Sequence, residues 1–423
     1  MTHRVSRILI GKYAKDFYFS ASGNIGVSIV GALGGILAAR LLGPEGRGEL
    51  AAAVVWIGIL ITIGQIDLPK SIIYHIAKNY ENRNAIIQSV LALLVIQSIA
   101  IVGVGLLLAL IVLGKFRPNA LRSVQTYIWV VPASLLTTYM NALFQGVKRF
   151  DLFGLLRFLS ASILLFSVLI GYLLGLHGAQ SIIVLMVILQ YLLAIIAFIW
   201  SAIHILKLDR AWKFREIKSL LRYGLKAYVS SLSWITNARI DQFAMSFTVP
   251  LGQLGIYAVA VSYAGVLYPI LGSFANVLFP HIAGTDYTSA KKKIWRVLAI
   301  ALLTGAIGAT VLAIFIPKLI PLLFGPEFHQ AVYPAFVLLA GTIVLGGNYV
   351  LGDGLRGLGK PLIPSIAEAV GLFVTLIGLS VLLSRFGIMG AAWTSLISYS
   401  TVFLVLAGSI IAISFTFNKQ GDK

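Results

Sequence analysis

The sequence predicts an all-α polytopic membrane protein of about twelve transmembrane helices in two similar six-helix lobes, and three observations predict it. First, hydrophobic residues make up 59% of the 423 and charged residues only 11%, whereas a soluble fold of this size needs a more polar surface. Second, apolar runs of about twenty residues, the length a helix needs to cross ~30 Å of hydrocarbon, recur from end to end. Third, short motifs recur at nearly one separation. Backbone polar groups in lipid must be bonded internally, so spans are helices or closed barrels. Runs such as residues 90–113 lack the in/out alternation of a barrel strand, and the helix is left.

In chain order the spans are expected at 17–40, 50–76, 85–113, 122–145, 152–175, 180–205, 219–246, 253–279, 294–316, 330–354, 361–383 and 388–414. The basic start runs into a full-length apolar segment ending at Arg40 rather than at a small-residue cleavage site, so the first span is read as retained. Numbering the gaps alternately places 23 of the 33 Lys and Arg on one side, seven on the other and three, Lys70, Lys226 and Arg239, inside spans. By the positive-inside rule the first side is cytoplasmic, and an even number of spans puts both termini there.

Arg47-Gly48-Glu49-Leu50-Ala51 recurs as Leu254-Gly255-Ile256-Tyr257-Ala258, 207 positions on, and His75-Ile76-Ala77 as His281-Ile282-Ala283, 206 on. Gln145-Gly146 answers Asp353-Gly354 at 208, and Gly178-Ala179 answers Gly390-Ala391 at 212. Six spans per repeat make the repeats parallel, related by an axis near the membrane normal. The expected division is an N-terminal lobe, 1–205, a basic amphipathic linker along the cytoplasmic surface, 206–218, and a C-terminal lobe, 219–423.

Composition also excludes. The net charge of +19 sits in short connectors rather than on one soluble face, so no nucleic-acid partner is expected. There is no cysteine, which removes disulfides, thiolate metal sites and cysteine nucleophiles. No phosphate-cradling glycine loop with a following lysine and no His/Glu cluster with metal spacing occurs. No catalytic residue, metal or cofactor is assigned.

An ionisable group at bilayer depth costs at least ~2.5–3.5 kcal/mol on insertion scales, so each needs a partner, water or a function. In the seventh span Lys226, Ser230, Ser233, Asn237 and Asp241 follow a 4, 3, 4, 4 spacing, which keeps them within a sector of roughly 80°. A water-filled cavity accounts for such a stripe better than packing does. Arg239 falls about 180° from its centre unless the helix bends there. Ser20, Asn24, Ser28, Gly31 and Gly35 share a face of the first span, which reads either as a small-residue packing seam or as a milder polar lining. Asp67, Pro69 and Lys70 interrupt the second span and Tyr268-Pro269 the eighth; a proline kink either curves the helix or frees carbonyls for a lumen. Asn141 and Gln145, and Asn348 and Asp353, stand at matching stages of the two repeats. Gln145, Asp353 and Arg356 also read as caps. Glu368 is a coupling-ion site or the mate of an unseen basic group, and His75 and His281 are read as interfacial.

Ala39-Arg40-Leu41-Leu42-Gly43-Pro44-Glu45-Gly46-Arg47-Gly48, at the exit of the first span, resembles the Wzx-type polysaccharide-export flippases of the multidrug/oligosaccharidyl-lipid/polysaccharide exporter superfamily. Asn237-Ala238-Arg239-Ile240-Asp241 with Leu251-Gly252-Gln253-Leu254-Gly255-Ile256-Tyr257-Ala258 is similar to the second lobe of that family. Gly354-Leu355-Arg356-Gly357-Leu358-Gly359-Lys360-Pro361 and Arg385-Phe386-Gly387-Ile388-Met389-Gly390-Ala391-Ala392-Trp393 resemble its last three spans.

The resemblance implies a V-shaped fold like that of multidrug exporters, rocking between inward-open and outward-open states. It implies an oligosaccharide on a polyprenyl pyrophosphate as substrate, moved across a bacterial cytoplasmic membrane beside glycosyltransferases and a polysaccharide polymerase. Lys226, Arg239, Lys70, Asn24, Ser233, Asn237, Asn141 and Asn348 are then the cavity residues, and Asp241, Asp67 and Glu368 the candidates for coupling to H⁺ or Na⁺. Within this superfamily a lipid II flippase or a multidrug exporter is the alternative; a membrane glycan polymerase or ligase is a further one, disfavoured by short, mostly uncharged outer loops.

Overall fold

The computed structural model describes residues 2–114, 117–206, 216–225, 228, 239–282 and 287–421, and only the backbone of 2–25, 276, 277, 279–281 and 414–421. The described residues are 93% helix, with no strand among them. The helices are α1 (Thr2–Gly64), α2 (Leu68–Lys78), α3 (Arg83–Leu113), α4 (Pro118–Tyr127), α5 (Val131–Gly146), α6 (Phe150–Leu173), α7 (Ala179–His204), α8 (217–225), α9 (Ile240–Thr248), α10 (Leu251–Ala264), α11 (Tyr268–Ile282), α12 (Tyr287–Phe324), α13 (Val332–Gly357), α14 (Leu362–Gly378) and α15 (Ser384–Gly421).

Proline explains several starts. Pro69, Pro118 and Pro132 sit in the first turns of α2, α4 and α5, where a missing N–H leaves no hydrogen bond unmade. Between the first two passages the sequence leads one to expect a loop over 41–49, yet α1 breaks only at Gly43, whose φ of 65° is left-handed. Gly43-Pro44 supplies a reversal and a restart in two residues, so Glu45, Arg47 and Glu49 ride on the second passage itself.

Among the described residues nine helical stretches have the length and hydropathy to cross a bilayer. Gly26–Gly64 and Leu362–Ile413 each hold two expected spans, broken by Gly43 and by Gly387 (φ 55°). The middle of the expected seventh span, 226, 227 and 229–238, lies outside the described residues. The surface has the inverted polarity of a protein dissolved in lipid: on α3 Ile96, Ile99, Leu107 and Ile111 are exposed while Gln88, Ser89, Gln97 and Ser98 are buried.

Two compact units can be distinguished, Leu33–Ala258, and Met1–Ala32 with Val259–Lys423. In the first, Ala38, Leu50 and Ala53 of α1 pack with Ile163, Val168, Ile182, Ile183 and Met186 of α6 and α7. In the second, Ile294 and Leu298 of α12 pack with Val350, Leu351 and Leu355 of α13 and Val402, Leu406 and Ile410 of α15. The repeat is visible in backbone conformation as well. Gly175 and Gly387, 212 positions apart, both have positive φ, as do Lys148 and Gly359, 211 apart.

Candidate functional site

The second passage is discontinuous. After Gly64 the chain turns through Ile66 and Asp67, both left-handed at φ 50° and 49°, before α2 begins. Consecutive left-handed residues that are not glycine are held only where surroundings over-determine them, and here the surroundings can be named. Tyr228 Oη donates to the Ile63 carbonyl at 3.0 Å and Gln97 Nε2 to the Gly64 carbonyl at 2.8 Å. Gln97 is itself fixed by Tyr139 Oη, which donates to its Oε1 at 2.6 Å. Ser71 Oγ donates to the Leu220 carbonyl, tying α2 to α8 at 3.0 Å. Gly224 comes so close that a β-carbon there would lie 2.6 Å from the Ile66 carbonyl oxygen. The kink is therefore a break whose freed carbonyls are taken up by side chains rather than a simple curvature.

Asp67 and Lys70 meet at this break, 2.8 Å apart, with the Asp67 side chain 11% exposed and that of Lys70 54%. Lys70 is thus an anchored cation whose stem and head still reach the surface. His75 is turned back on its own helix, its Nδ1 2.8 Å from the Ser71 carbonyl, and Tyr74 stacks on Tyr223 at 4.4 Å.

Asp241 lies in the first turn of α9 and is buried. Tyr257 Oη donates to its Oδ2 at 2.6 Å and the Gln242 amide to its Oδ1 at 2.7 Å. α9 is also pinned to α1, where Trp56 Nε1 donates to Ser246 Oγ at 2.7 Å and the Trp56 ring meets Phe243 at 4.7 Å. Arg239, the residue capping α9, is exposed and within electrostatic reach of Tyr127. Lys226, Ser233 and Asn237 lie outside the described residues, as does the Asn24 side chain.

The remaining expected residues lie on α5, α13 and α14. Asn141 of α5 keeps a buried Oδ1 with no hydrogen-bond partner among the described residues. Asn348 of α13 donates Nδ2 to the Tyr399 carbonyl at 3.0 Å while its Oδ1 is likewise unmet. Glu368 is buried on α14. Asp353 and Arg356 pair with each other at 2.6 Å one turn apart. No group of three metal-ligating side chains occurs among the described residues.

Two features escaped sequence reasoning because the 41–49 stretch was read as a loop. A polar chain crosses the first unit: Thr126 Oγ1 donates to Gln180 Oε1 at 3.1 Å, Gln180 Nε2 to Ser123 Oγ at 2.7 Å, and Ser123 Oγ to Glu49 Oε2 at 3.2 Å. Arg47 is half-buried inside the stretch Gly26–Gly64, its Nε fully buried and without a hydrogen-bond partner among the described residues. The signal that could have found both is the Gly43-Pro44 pair, a helix stop and start with nothing between.

The two repeats also touch at one crossing. A β-carbon at Gly48 would overlap the carbonyl oxygen of Leu251, and one at Gly255 would overlap that of Pro44. Because 44 and 251, like 48 and 255, are 207 positions apart, the contact is reciprocal, each repeat offering the same patch to the other. Residues 44–51 and 251–258 therefore meet about a local pseudo-two-fold.

A family profile described as "Polysaccharide biosynthesis protein" matches residues 13–285, well over half of the chain. The chain belongs to that family. It is 21% identical over 215 residues to a probable low-salt glycan biosynthesis flippase, Agl15, of Haloferax volcanii, covering 49% of this chain and 46% of that protein. It is 25% identical over 193 residues to an uncharacterized membrane protein of Methanocaldococcus jannaschii, covering 44% and 38% respectively. The matching stretch takes in less than half the length of either relative. In fold the chain is similar to the lipid II flippase MurJ in an inward closed conformation, with a TM-score of 0.76 at 12% identity over 93% of this chain and 87% of that one. It is also similar to the eukaryotic MATE transporter AtDTX14, with a TM-score of 0.67 at 14% identity over 95% and 96%. The polysaccharide biosynthesis family, Agl15, MurJ and the MATE transporters fall within the multidrug/oligosaccharidyl-lipid/polysaccharide exporter superfamily, and this family member has that superfamily's all-helical membrane fold.

Proposed function

We propose that this chain is a flippase, not an enzyme, and that it translocates a polyprenyl-pyrophosphate-linked oligosaccharide of the O-antigen or capsule type across the cytoplasmic membrane. The observation that carries the reading is the broken second passage, with the Asp67–Lys70 pair 2.8 Å apart at the break, in a chain of the polysaccharide biosynthesis family. A discontinuous helix exposes backbone and charge only where it lines protein or water, and a pyrophosphate with its sugars needs such a polar path, while the lipid tail stays in the bilayer.

In this reading the lobes 1–205 and 219–423, joined by the basic linker 206–218, alternate between inward-facing and outward-facing states, with both termini cytoplasmic. Lys70, Lys226 and Arg239 meet the anionic head group, and Asn24, Asn141, Ser233, Asn237 and Asn348 meet its hydroxyls. Asp67, Asp241 and Glu368 are the places for a coupling H⁺ or Na⁺. Glycosyltransferases supply the substrate and a polymerase consumes it. Transporters of lipid II and of drugs share this fold, so the test includes both.

In vesicles holding the purified chain and a fluorescent lipid-linked oligosaccharide, we expect time-dependent exposure of the fluorophore on the far leaflet. Lys70→Ala and Lys226→Ala should slow it about tenfold or more, as expected for loss of a charge-assisted phosphate contact. No movement of this lipid beside rapid movement of lipid II or a cationic dye overturns the reading.

A further inference from the structure

Arg47 is a charge that the flippase reading has not used. Its side chain leaves the second passage one residue before the Gly48 crossing, and a guanidinium Nη2 lies 3.8 Å from where a β-carbon on Gly35 would be. The guanidinium thus lies against the first passage at Gly35, where a β-carbon would meet it at ordinary van der Waals contact. Burying an arginine Nε without an acceptor is unfavourable, and a guanidinium presents five donors in a planar fork suited to phosphate oxygens. The nearest acids in sequence do not satisfy it: Glu45 and Glu49, each two residues away, point to other sides of the helix, and Glu49 accepts from Ser123. No ion pair among the described residues includes Arg47. The position answering it in the second repeat is Leu254, wholly buried, so neither the crossing nor the packing of this station requires a cation.

Seventeen residues of helix, about 25 Å at 1.5 Å per residue, separate Arg47 from Gly64, where the break begins. That nearly equals the hydrocarbon thickness, so Arg47 and the Asp67–Lys70 pair stand at opposite ends of one membrane passage. We propose that Arg47 is a phosphate-binding residue for a lipid-borne pyrophosphate, at the end of the second passage away from Lys70. It rests on the flippase reading and deepens it: a head group that leaves the Lys70 end needs a second cation where it arrives, and Arg47 is that cation.

The test measures binding rather than transport. Purified full-length protein in neutral-lipid nanodiscs is titrated with farnesyl pyrophosphate, with farnesol and phosphatidylglycerol as the uncharged and phosphodiester probes. Wild type should bind farnesyl pyrophosphate and not farnesol. Arg47→Leu, which installs the residue of the second repeat, should weaken binding about tenfold or more, whereas Arg47→Lys, which keeps the charge but not the fork, should lose distinctly less than Arg47→Leu. Gly35→Leu, whose branched end extends from that contact toward the guanidinium while keeping the charge, should weaken binding in the same direction as Arg47→Leu.

Binding by Arg47→Leu within about twofold of wild type overturns the site. So does an Arg47→Lys protein, monodisperse and fully helical, that loses as much as Arg47→Leu, because the effect is then packing. Equal affinity for phosphatidylglycerol overturns the assignment to a pyrophosphate. The two readings fail separately. Arg47-dependent binding in a chain that moves no lipid-linked oligosaccharide leaves the site and removes the flippase; transport with Arg47→Leu binding unchanged leaves the flippase and removes the site.

Discussion

Residues 44–51 and 251–258 occupy the same station in the two repeats. Each begins a helix directly after a break, at Gly43 in one and at Val249 and Pro250 in the other. Each places a glycine, Gly48 or Gly255, against a backbone carbonyl of its counterpart. Their side chains then diverge: Glu45, Arg47 and Glu49 in the first stand where Gly252, Leu254 and Ile256 stand in the second. Leu254 and Ile256 are buried, while Arg47 and Glu49 are half-buried and polar around. The difference teaches that the backbone crossing is what the duplication must preserve, and that the positions beside it were free to become chemistry in one half only. The strongest polar stripe legible in the sequence lies in the seventh span, yet the first repeat carries a dense charged station of its own.

The sharpest way to break the comparison is to fill the crossing. Gly48→Val and Gly255→Val each set a side chain where a carbonyl oxygen already lies, and backbone cannot give as a side-chain end can. Each should destabilise by more than about 4 kcal/mol, the range reached by severe overpacking, with most of the protein lost from the monodisperse peak in detergent size-exclusion chromatography. Reciprocity demands similar losses. One variant folding normally while the other fails would show that the contact is not a shared device of the two repeats.

Helical fold class, the membrane setting and the repeat were legible because they depend on composition and period, which survive any local error of register. Hydropathy over residues 90–113 and the 207-position recurrence of Gly48 as Gly255 needed no tertiary knowledge. The site was less legible for two physical reasons. A two-residue reversal at Gly43-Pro44 reads as a loop in any window wide enough to measure hydropathy, so Arg47 and Glu49 were counted outside the membrane. The break at Ile66-Asp67 depends on partners distant in sequence, Gln97, Tyr139 and Tyr228, and Pro69 alone gives no hint of which residues will take up the freed carbonyls.

Exchanging the chemistry of the two stations is the next test. Leu254→Arg puts an unpaired cation at a wholly buried position and should destabilise by about 3 kcal/mol, near the insertion penalty for arginine at bilayer depth. Arg47→Leu relieves such a burial and should raise the melting temperature slightly in the absence of ligand. Opposite signs in thermal unfolding sharpen the claim that one station is built for function and the other for packing. Equal losses would mean that Arg47 is structural.

A smaller effect is expected where the second station meets α9. Tyr257→Phe removes the 2.6 Å hydrogen bond to Asp241 and should lower stability by about 2 kcal/mol, the range for a hydrogen bond to a charged group. Its counterpart in the first repeat is Leu50, fully buried, so this position makes a hydroxyl-to-acid tie in the second repeat and an apolar contact in the first. Unchanged unfolding of Tyr257→Phe would mean that Asp241 is held by its helix terminus rather than by the tyrosine.

The least change should come from Ser123→Ala. It removes the middle of the chain from Glu49 through Ser123 to Gln180, and the buried Ser123 hydroxyl, set between two partners, contributes about 1 kcal/mol. The consequence is asymmetric in kind as well as size. Glu49 keeps an accessible carboxylate after the substitution, whereas Gln180 loses an acceptor for Nε2 and turns toward Thr126, which already donates to its Oε1. Hydrogen exchange should therefore quicken in α4 and the start of α7 and stay unchanged in α10, whose matching position, Ile256, makes no polar tie to lose. Faster exchange spreading to α10 would mean that the two stations respond as one rigid piece, and that the polar network of the first supports the crossing itself.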